Sequence, residues 1–148
     1  MKLVFFGPPG SGKGTYASRV APLLNIVHIS TGDLFRAEIT AGTEMGKLAN
    51  GYIAKGNLVP DEVTVNMLKH RIARDDCKKG FILDGFPRTM EQAHALEKTI
   101  KIDLVVNFVL DEDILLEKAL ARRVCKNCGN TYNVAEIRRG KIVMPPLL

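Results

Sequence analysis

The sequence has few of the features that mark membrane, secreted or nucleic-acid-binding proteins. No apolar stretch approaches the length of a membrane span. Its three cysteines are too few for a secreted disulfide framework. It has no tryptophan and only three tyrosines, which leaves little aromatic surface for base stacking, and its basic residues are scattered. We therefore expect partners that are neither membranes nor nucleic acids.

What the sequence does contain is the composition of one globular domain. Its 148 residues suffice for a single core and are too few for two ordinary domains. Apolar residues make up 46% and charged residues 25%, as in globular proteins, and the net charge of +5 suits small phosphorylated ligands. The apolar run before Gly7 is too short for a signal peptide, so we expect a cytoplasmic protein, and we expect a monomer.

A glycine-rich loop follows the first apolar run. Residues 7–13 match the P-loop pattern G-x-x-x-x-G-K. Glycines let backbone N–H groups turn toward an anion, the next helix adds its positive end, and Lys13 can reach terminal phosphates. Gly14 stands where Ser or Thr is expected, and the hydroxyl comes one residue later, at Thr15. The loop predicts phosphate binding; the alternative is an ordinary turn with a solvated lysine.

Four apolar runs alternate with helical patterns along the chain. The runs are near-continuous, as in parallel strands covered on both faces. They span residues 2–6, 26–30, 80–84 and 104–110. The helical patterns span residues 14–24, 61–74, 89–99 and 112–122. This order predicts an α/β fold: a doubly wound parallel sheet with helices on both faces and ligands at the carboxyl ends of the strands.

Two segments depart from this alternation. Residues 31–59 indicate two or three short helices separated by glycine turns, an insertion typical of a lid or a substrate clamp. From residue 122 the pattern changes again, and Cys125 and Cys128 have the C-x-x-C spacing of a small metal ribbon. The chain therefore carries two additions to the predicted sheet domain.

Three helix starts carry capping signals. Ser30 and Thr31 precede Gly-Asp and favour a helix start there. Asp61 is the predicted N-cap of the helix that follows it. Thr89 and Gln92 have capping-box spacing, in which the glutamine side chain binds the Thr89 N–H.

Four motifs in a fixed order carry a family resemblance. They are the loop Gly7–Thr15, the segment Ile29–Arg36, the run Phe81–Thr89 and the pair Arg122-Arg123. The chain resembles the amino-terminal two-thirds of an adenylate kinase, of the zinc-lid type within the nucleoside monophosphate kinases, and the shifted hydroxyl at Thr15 is that family's form of the loop. The resemblance implies a P-loop core at 1–29 and 60–121, an NMP-binding clamp at 30–59 and a partial lid at 122–148.

The activity implied by the resemblance is a phosphotransfer. ATP and AMP would be converted reversibly into two ADP with Mg²⁺, in nucleotide interconversion and adenylate energy homeostasis. Such a transfer needs charge neutralisation and alignment more than covalent help, and guanidinium forks match phosphate oxygens. The implied catalytic residues are Lys13, Arg36, Asp84, Arg88, Arg122 and Arg123. Asp84 ends an apolar strand and would hold Mg²⁺ through water; its alternative role is that of a turn residue.

The resemblance also implies which residues contact each nucleotide. For ATP they are Gly10, Ser11, Gly12, Lys13, Gly14, Thr15, Arg122, Thr131 and Tyr132. For AMP they are Thr31, Arg36, Asn57, Leu58, Val59, Gly85, Phe86, Pro87, Arg88 and Gln92. Arg36 and Arg88 are assigned to the AMP phosphate. Gln92 has two competing roles, because a side chain bound to the Thr89 N–H cannot also read adenine.

The cysteines and histidines give weaker signals. In lid-bearing relatives the pair matching Cys125 and Cys128 forms half of a four-ligand structural Zn²⁺ site, but this sequence lacks the second half, so two free thiols are the alternative. Cys77 is expected to be structural. His28, inside a strand, is expected to be a core residue with a hydrogen-bond partner.

Several functions remain open at this point. The first is an adenylate kinase. The second is a nucleotide-binding fragment with impaired catalysis, because the family's remaining arginines and last strand lie beyond Leu148. A kinase for UMP or CMP is a variant of the first. A P-loop GTPase is disfavoured, because the sequence has no Asn-Lys-x-Asp signature.

Overall fold

The structure is a computed structural model that describes residues 1–129 and 131–147. Asn130 and Leu148, two residues of the segment interpreted as a partial lid, lie outside the described residues. Backbone contacts divide the chain into two units. The first unit comprises Met1–Phe6 and Lys13–Asn107, and the second comprises Gly7–Gly12 and Phe108–Leu148.

A four-stranded parallel sheet forms the centre of the first unit. Its strands are β1 (Lys2–Phe6), β2 (Val27–Ser30), β3 (Phe81–Asp84) and β4 (Leu104–Asn107), in the order β2-β3-β1-β4. Every neighbouring pair is parallel. The parallel α/β architecture expected from the sequence is confirmed, and the carboxyl ends of all four strands lie along one edge of the sheet.

Five helices accompany this sheet. They are α1 (Lys13–Leu23), α2 (Thr31–Ala41), α3 (Glu44–Ile53), α4 (Asp61–Ile72) and α5 (Met90–Thr99), with a short 3-10 turn at Asp75–Cys77. The segment between β2 and α4 therefore holds two helices. An ideal Cβ on Gly46 of α3 would lie 2.1 Å from the backbone oxygen of Glu38 in α2, so only glycine fits where these two helices cross.

The core of the first unit lies around β3. Phe81, Ile82 and Leu83 are each no more than 1% exposed. Met67 and Leu68 of α4 are buried in the same unit. The buried residues of α4 recur at helical spacing, so this helix presents one face to the core; they are Thr64, Val65, Met67 and Leu68.

Strand β4 corrects one expectation. A run covered on both faces was predicted, but Leu104 is 56% and Val105 58% exposed. The reason is position: β4 pairs only with β1 and is one of the two edge strands of the described sheet. A continuous apolar run shows that both faces suit burial, but it does not supply the elements that would cover them.

The second unit consists of a helix and two hairpins. Helix α6 (Glu112–Leu120) is followed by β5 (Arg122–Val124), which pairs with β6 (Thr131–Asn133), and by β7 (Ile137–Arg139), which pairs with β8 (Ile142–Met144). Both pairs are antiparallel. Ile114 and Ile137 are each 1% exposed. The second hairpin was not expected, because its alternation over three-residue strands is a weak signal.

Side-chain ion pairs also hold the second unit. The guanidinium of Arg139 bonds Asp113 and lies 2.7 Å from Glu117, both on α6. Within the part of the chain that the structure describes, no helix combines the length and apolarity that crossing a membrane requires.

Candidate active site

The glycine-rich loop enters the second unit at Gly7. This glycine has φ +149°, and an ideal Cβ on it would lie 2.8 Å from the Phe108 backbone oxygen. Gly10 and Gly12 have φ of +83° and +96°, values that residues with a Cβ rarely adopt. The loop conformation thus requires the glycines from which phosphate binding was predicted.

Ser11 lies inside this loop and is 3% exposed. Its hydroxyl has no hydrogen-bond partner among the described residues. Lys118 donates to the Ser11 carbonyl oxygen over 3.4 Å, and burial lowers the pKa of the Lys118 ammonium. A buried hydroxyl left without a partner costs about 1–3 kcal/mol, so the loop favours a ligand that accepts this hydrogen bond.

The rest of the loop belongs to the first unit and starts α1. Lys13 is the first helical residue, followed by Gly14 and Thr15. An ideal Cβ on Gly14 would lie 3.0 Å from the Asp84 Oδ2 atom. This explains why the hydroxyl is displaced to Thr15: a side chain at position 14 would crowd the Asp84 carboxylate.

Asp84 ends β3 and is mostly buried. The His28 Nε2 atom lies 3.2 Å from its Oδ2 atom. His28 and Asp84 share one face of the sheet, because His28 is in register with Ile82 two residues before Asp84. His28 thus has the hydrogen-bond partner that was expected, and the partner is a site residue.

The metal donors around Asp84 are few. Among residues 1–129 and 131–147, no three His, Cys, Asp or Glu side chains form a group that could hold an ion. Mg²⁺ in phosphoryl-transfer sites is commonly held by one or two carboxylates, waters and substrate phosphates. A single carboxylate next to Gly14, at the start of α1, fits that donor set.

Three predicted AMP residues converge after β3. The Thr31 hydroxyl donates to the Asp84 carbonyl oxygen over 3.4 Å. The Arg88 Nε donates to the Gly85 carbonyl oxygen over 2.7 Å. An ideal Cβ on Gly85 would lie 3.0 Å from Arg88 Nη2 and 3.5 Å from Thr31 Oγ1, so the missing side chain leaves room between them.

Gln92 lies next to this group and is 5% exposed. Its backbone N–H donates to the Thr89 hydroxyl over 3.1 Å, which confirms Thr89 as N-cap. Its side-chain oxygen, however, accepts from the Arg88 N–H over 2.8 Å, so the predicted capping-box bond to the Thr89 N–H is wrong. Among the described residues, the hydrogen bonds of the Gln92 amide leave one lone pair of its oxygen and one N–H of its nitrogen unused.

Asp61 was not expected in this group. The predicted N-cap role is wrong, because Pro60 holds that position and Asp61 is the first residue of α4. Its carboxylate instead accepts from Gln92 Nε2 over 2.6 Å and from the Thr89 hydroxyl over 2.8 Å. No local pattern indicates a bond between residues 31 positions apart.

Three other predicted AMP residues are exposed and do not converge with Thr31, Gly85 and Arg88. The Arg36 guanidinium is exposed and bonds Asp33 on the same helix. Asn57 is exposed and Leu58 is 93% exposed, in the segment between α3 and α4. Of the remaining predicted AMP residues, Val59 packs against the core and Phe86 is buried. Pro87 follows Phe86 through a cis peptide bond.

The ATP residues predicted in the second unit lie on the β5–β6 hairpin. Arg123 pairs with Tyr132, and Arg122 and Thr131 occupy the same ladder. Arg122 is exposed, whereas the Arg123 Nη1 donates to the backbone oxygens of Leu120 and Arg122 over 2.9 Å each. The Arg123 guanidinium is therefore already hydrogen-bonded to the backbone at the end of α6.

The C-x-x-C pair lies in the turn between these strands. Backbone N–H groups, that of Cys128 first and that of Asn127 next, donate to the Cys125 sulfur and hold the pKa of this thiol below its usual value. Neither thiol is in a disulfide. Since the described residues add no third ligand, the structure does not support a complete Zn²⁺ site at Cys125 and Cys128.

These features define a class of protein. A parallel sheet whose first strand leads into a glycine-rich loop and a helix is the architecture of P-loop nucleotide-binding proteins. The family model described as adenylate kinase matches residues 5–139. The chain belongs to the adenylate kinase family, which is a family of nucleoside monophosphate kinases.

Individual relatives agree with this assignment. A protein named adenylate kinase from Desulforamulus reducens is 55% identical over 139 residues, which cover 90% of this chain and 65% of the relative. A second, from Geobacillus sp. strain WCH70, is 51% identical over 90% of this chain and 64% of its own length. A third, from Thermosipho africanus, is 46% identical over 99% of this chain and 67% of its own length. The chain thus spans about two thirds of these relatives.

Proposed function

We propose that this chain binds AMP and the phosphates of ATP and takes part in the reversible conversion of ATP and AMP into two ADP. The observation that carries the proposal is the convergence of Thr31, Gly85 and Arg88 at the carboxyl end of β3, next to Asp84. Parallel α/β sheets bind ligands at this edge. Relatives named adenylate kinase support AMP as the acceptor.

On the AMP side, the proposed roles follow from charge and backbone access. Arg88 and Arg36 would hold the AMP phosphate, each with a planar fork that matches two oxygens. Gly85 lets the backbone approach the nucleotide, with Phe86 and Pro87 following it. Thr31 and Gln92 would contact the adenine. Asn57, Leu58 and Val59 would line the ribose and base.

On the ATP side, the loop supplies most of the groups. The backbone N–H groups of residues 10–15 and the Lys13 ammonium would hold the phosphates. Arg122 and Arg123 would add charge, and Thr131 and Tyr132 further contacts. When bound, Mg²⁺ neutralises phosphate charge, and Asp84 would hold it through water.

The chemistry asks little of the side chains beyond position and charge. An AMP phosphate oxygen attacks the terminal phosphorus of ATP, and the bond to the ADP oxygen breaks in line with that attack. Because the attacking oxygen is already anionic, no general base is required. We propose that the clamp at 30–59 and the lid at 122–148 exclude water from the reaction, and that the protein acts in the cytoplasm as a monomer, maintaining adenylate balance.

A coupled assay for ADP formation tests this function. ATP with Mg²⁺ is supplied with AMP, UMP or CMP in turn, and we expect ADP formation with AMP alone. Turnover with UMP or CMP but not AMP would instead assign a kinase for another nucleoside monophosphate. Calorimetric titration of AMP into the same preparation separates binding from turnover.

A binding module without turnover is the second candidate. Two of the implied catalytic guanidiniums favour it: Arg36 is bonded to Asp33 and Arg123 to backbone oxygens. Saturable AMP binding together with no ADP formation would establish this candidate and exclude the first for this chain.

A further inference from the structure

Asp61 uses both of its carboxylate oxygens to join helices α4 and α5. Oδ1 accepts from Gln92 Nε2 at 2.6 Å, a short charge-assisted hydrogen bond. Oδ2 accepts from the Thr89 hydroxyl at 2.8 Å, which keeps the carboxylate from rotating. Asp61 is therefore held in one orientation at the edge of the proposed AMP site.

This arrangement fixes the Gln92 amide. The Arg88 N–H is a donor and needs the amide oxygen, at 2.8 Å; the Asp61 carboxylate is an acceptor and needs the amide nitrogen. Turning the amide by 180° would set oxygen against carboxylate and nitrogen against N–H. Two favourable contacts would become two repulsive ones, so a single orientation is stable.

The fixed amide presents a defined pair of unused groups. An amide oxygen has two lone pairs and an amide nitrogen two hydrogens, and the structure shows one of each in use. One acceptor and one donor remain, in a set order. Adenine offers the complementary pair, an N6–H donor beside the N1 acceptor, whereas guanine and hypoxanthine offer the reverse, an O6 acceptor beside an N1–H donor.

We propose that Asp61 is a positioning residue that determines base specificity: it holds the Gln92 amide in the orientation that accepts adenine and rejects 6-oxopurines. The inference rests on the proposed function, because it assumes that Gln92 faces the base of AMP. A glutamine free to turn would bind either purine, since the amide could reverse its donor and acceptor. Specificity arises here because the wrong base leaves polar groups unpaired.

The main test compares AMP with IMP in calorimetric titrations of the whole chain. In wild type we expect AMP to bind more tightly than IMP. In Asp61→Ala no acceptor remains for Gln92 Nε2, and only the Arg88 N–H opposes turning of the amide, so we expect the ratio of the two affinities to fall about tenfold. The matched control is Glu62→Ala, which removes the same charge from an exposed neighbour in the same helical turn and should leave the ratio unchanged.

A second measurement avoids dependence on the variant's stability. Gln92 is the only glutamine in the sequence, so ¹⁵N-glutamine labelling gives one pair of side-chain amide hydrogens in NMR spectra. In wild type we expect the hydrogen bonded to Asp61 to exchange with water at least about tenfold more slowly than its partner. Equal, fast exchange of both hydrogens would overturn the inference.

The outcomes separate the two proposals. If wild type binds neither AMP nor IMP, the proposed function fails, and the inference fails with it. If wild type binds AMP selectively and Asp61→Ala keeps the same ratio, only the role of Asp61 is refuted. A fall in the ratio that Glu62→Ala reproduces would assign the effect to charge and would also refute the role of Asp61.

Discussion

Two residues proposed to bind AMP and two proposed to bind ATP on the β5–β6 hairpin are held in different ways. Thr31 and Gln92 are at most 7% exposed and are hydrogen-bonded to groups on other elements. Arg122 and Thr131 are exposed on a ladder of three-residue strands. Hydrogen bonds that already exist without the ligand reduce the conformational entropy that side chains lose when the ligand binds. The comparison therefore indicates that Thr31 and Gln92 are preorganised, whereas Arg122 and Thr131 gain their contacts from the ligand.

The largest expected effect comes from the tight packing between helices α2 and α3. Gly46→Ala places a methyl group against the Glu38 backbone, and we expect it to lower the free energy of unfolding by about 3 kcal/mol. Gly51→Ala is the control, since a Cβ there has no neighbour within 4 Å among the described residues; it should raise stability by about 0.5–1 kcal/mol. Urea unfolding measures both. Equal effects would show that the crossing of α2 and α3 is not closely packed.

A smaller effect is expected from removing single arginines. Arg88→Ala loses charge-assisted bonds to the AMP phosphate, worth about 1.5–3 kcal/mol, so AMP affinity should fall about 10- to 150-fold. Arg122→Ala should leave AMP affinity unchanged and weaken ATP binding. Calorimetric titration of each nucleotide checks this. Loss of AMP affinity in Arg122→Ala would contradict the assignment of the two arginines to different nucleotides.

The smallest effect concerns thiol reactivity, and it contrasts the two units directly. Burial raises the pKa of the Cys77 thiol, whereas N–H groups of Cys128 and Asn127 lower that of Cys125. A lower pKa gives more thiolate at a given pH, and thiolate is the reactive form. We therefore expect iodoacetamide to alkylate Cys125 first and Cys77 last between about pH 6 and 8. Peptide mass spectrometry over time measures the order, and early modification of Cys77 would show that the first unit opens readily.

Much of the fold was predictable because its signals are local. Strand β1 coincides with the predicted run 2–6, and β3 differs from 80–84 by one residue. These signals depend on neighbours along the chain. The exposure of β4 was not predictable, because burial depends on which elements pack against a strand. The second hairpin was missed because three-residue strands carry too few alternating positions.

The site shows the same division. The loop and Arg88 could be found from the order of residue types, since phosphate binding needs particular groups at particular spacing. The Asp61 role was hidden, because its carboxylate looked like a cap for its own helix and bonds another helix instead. The His28 contact was hidden for a similar reason, because its partner lies 56 residues away.

By itself, the sequence determined the α/β class, the phosphate loop and membership of a nucleotide kinase family, because each depends on residue types at short fixed distances along the chain. Only the tertiary structure decided that Asp84 lies against Gly14 and His28, and that Asp61 orients Gln92. The physical reason is that hydrogen bonds depend on distances of about 3 Å in space, which packing sets and spacing in the sequence does not.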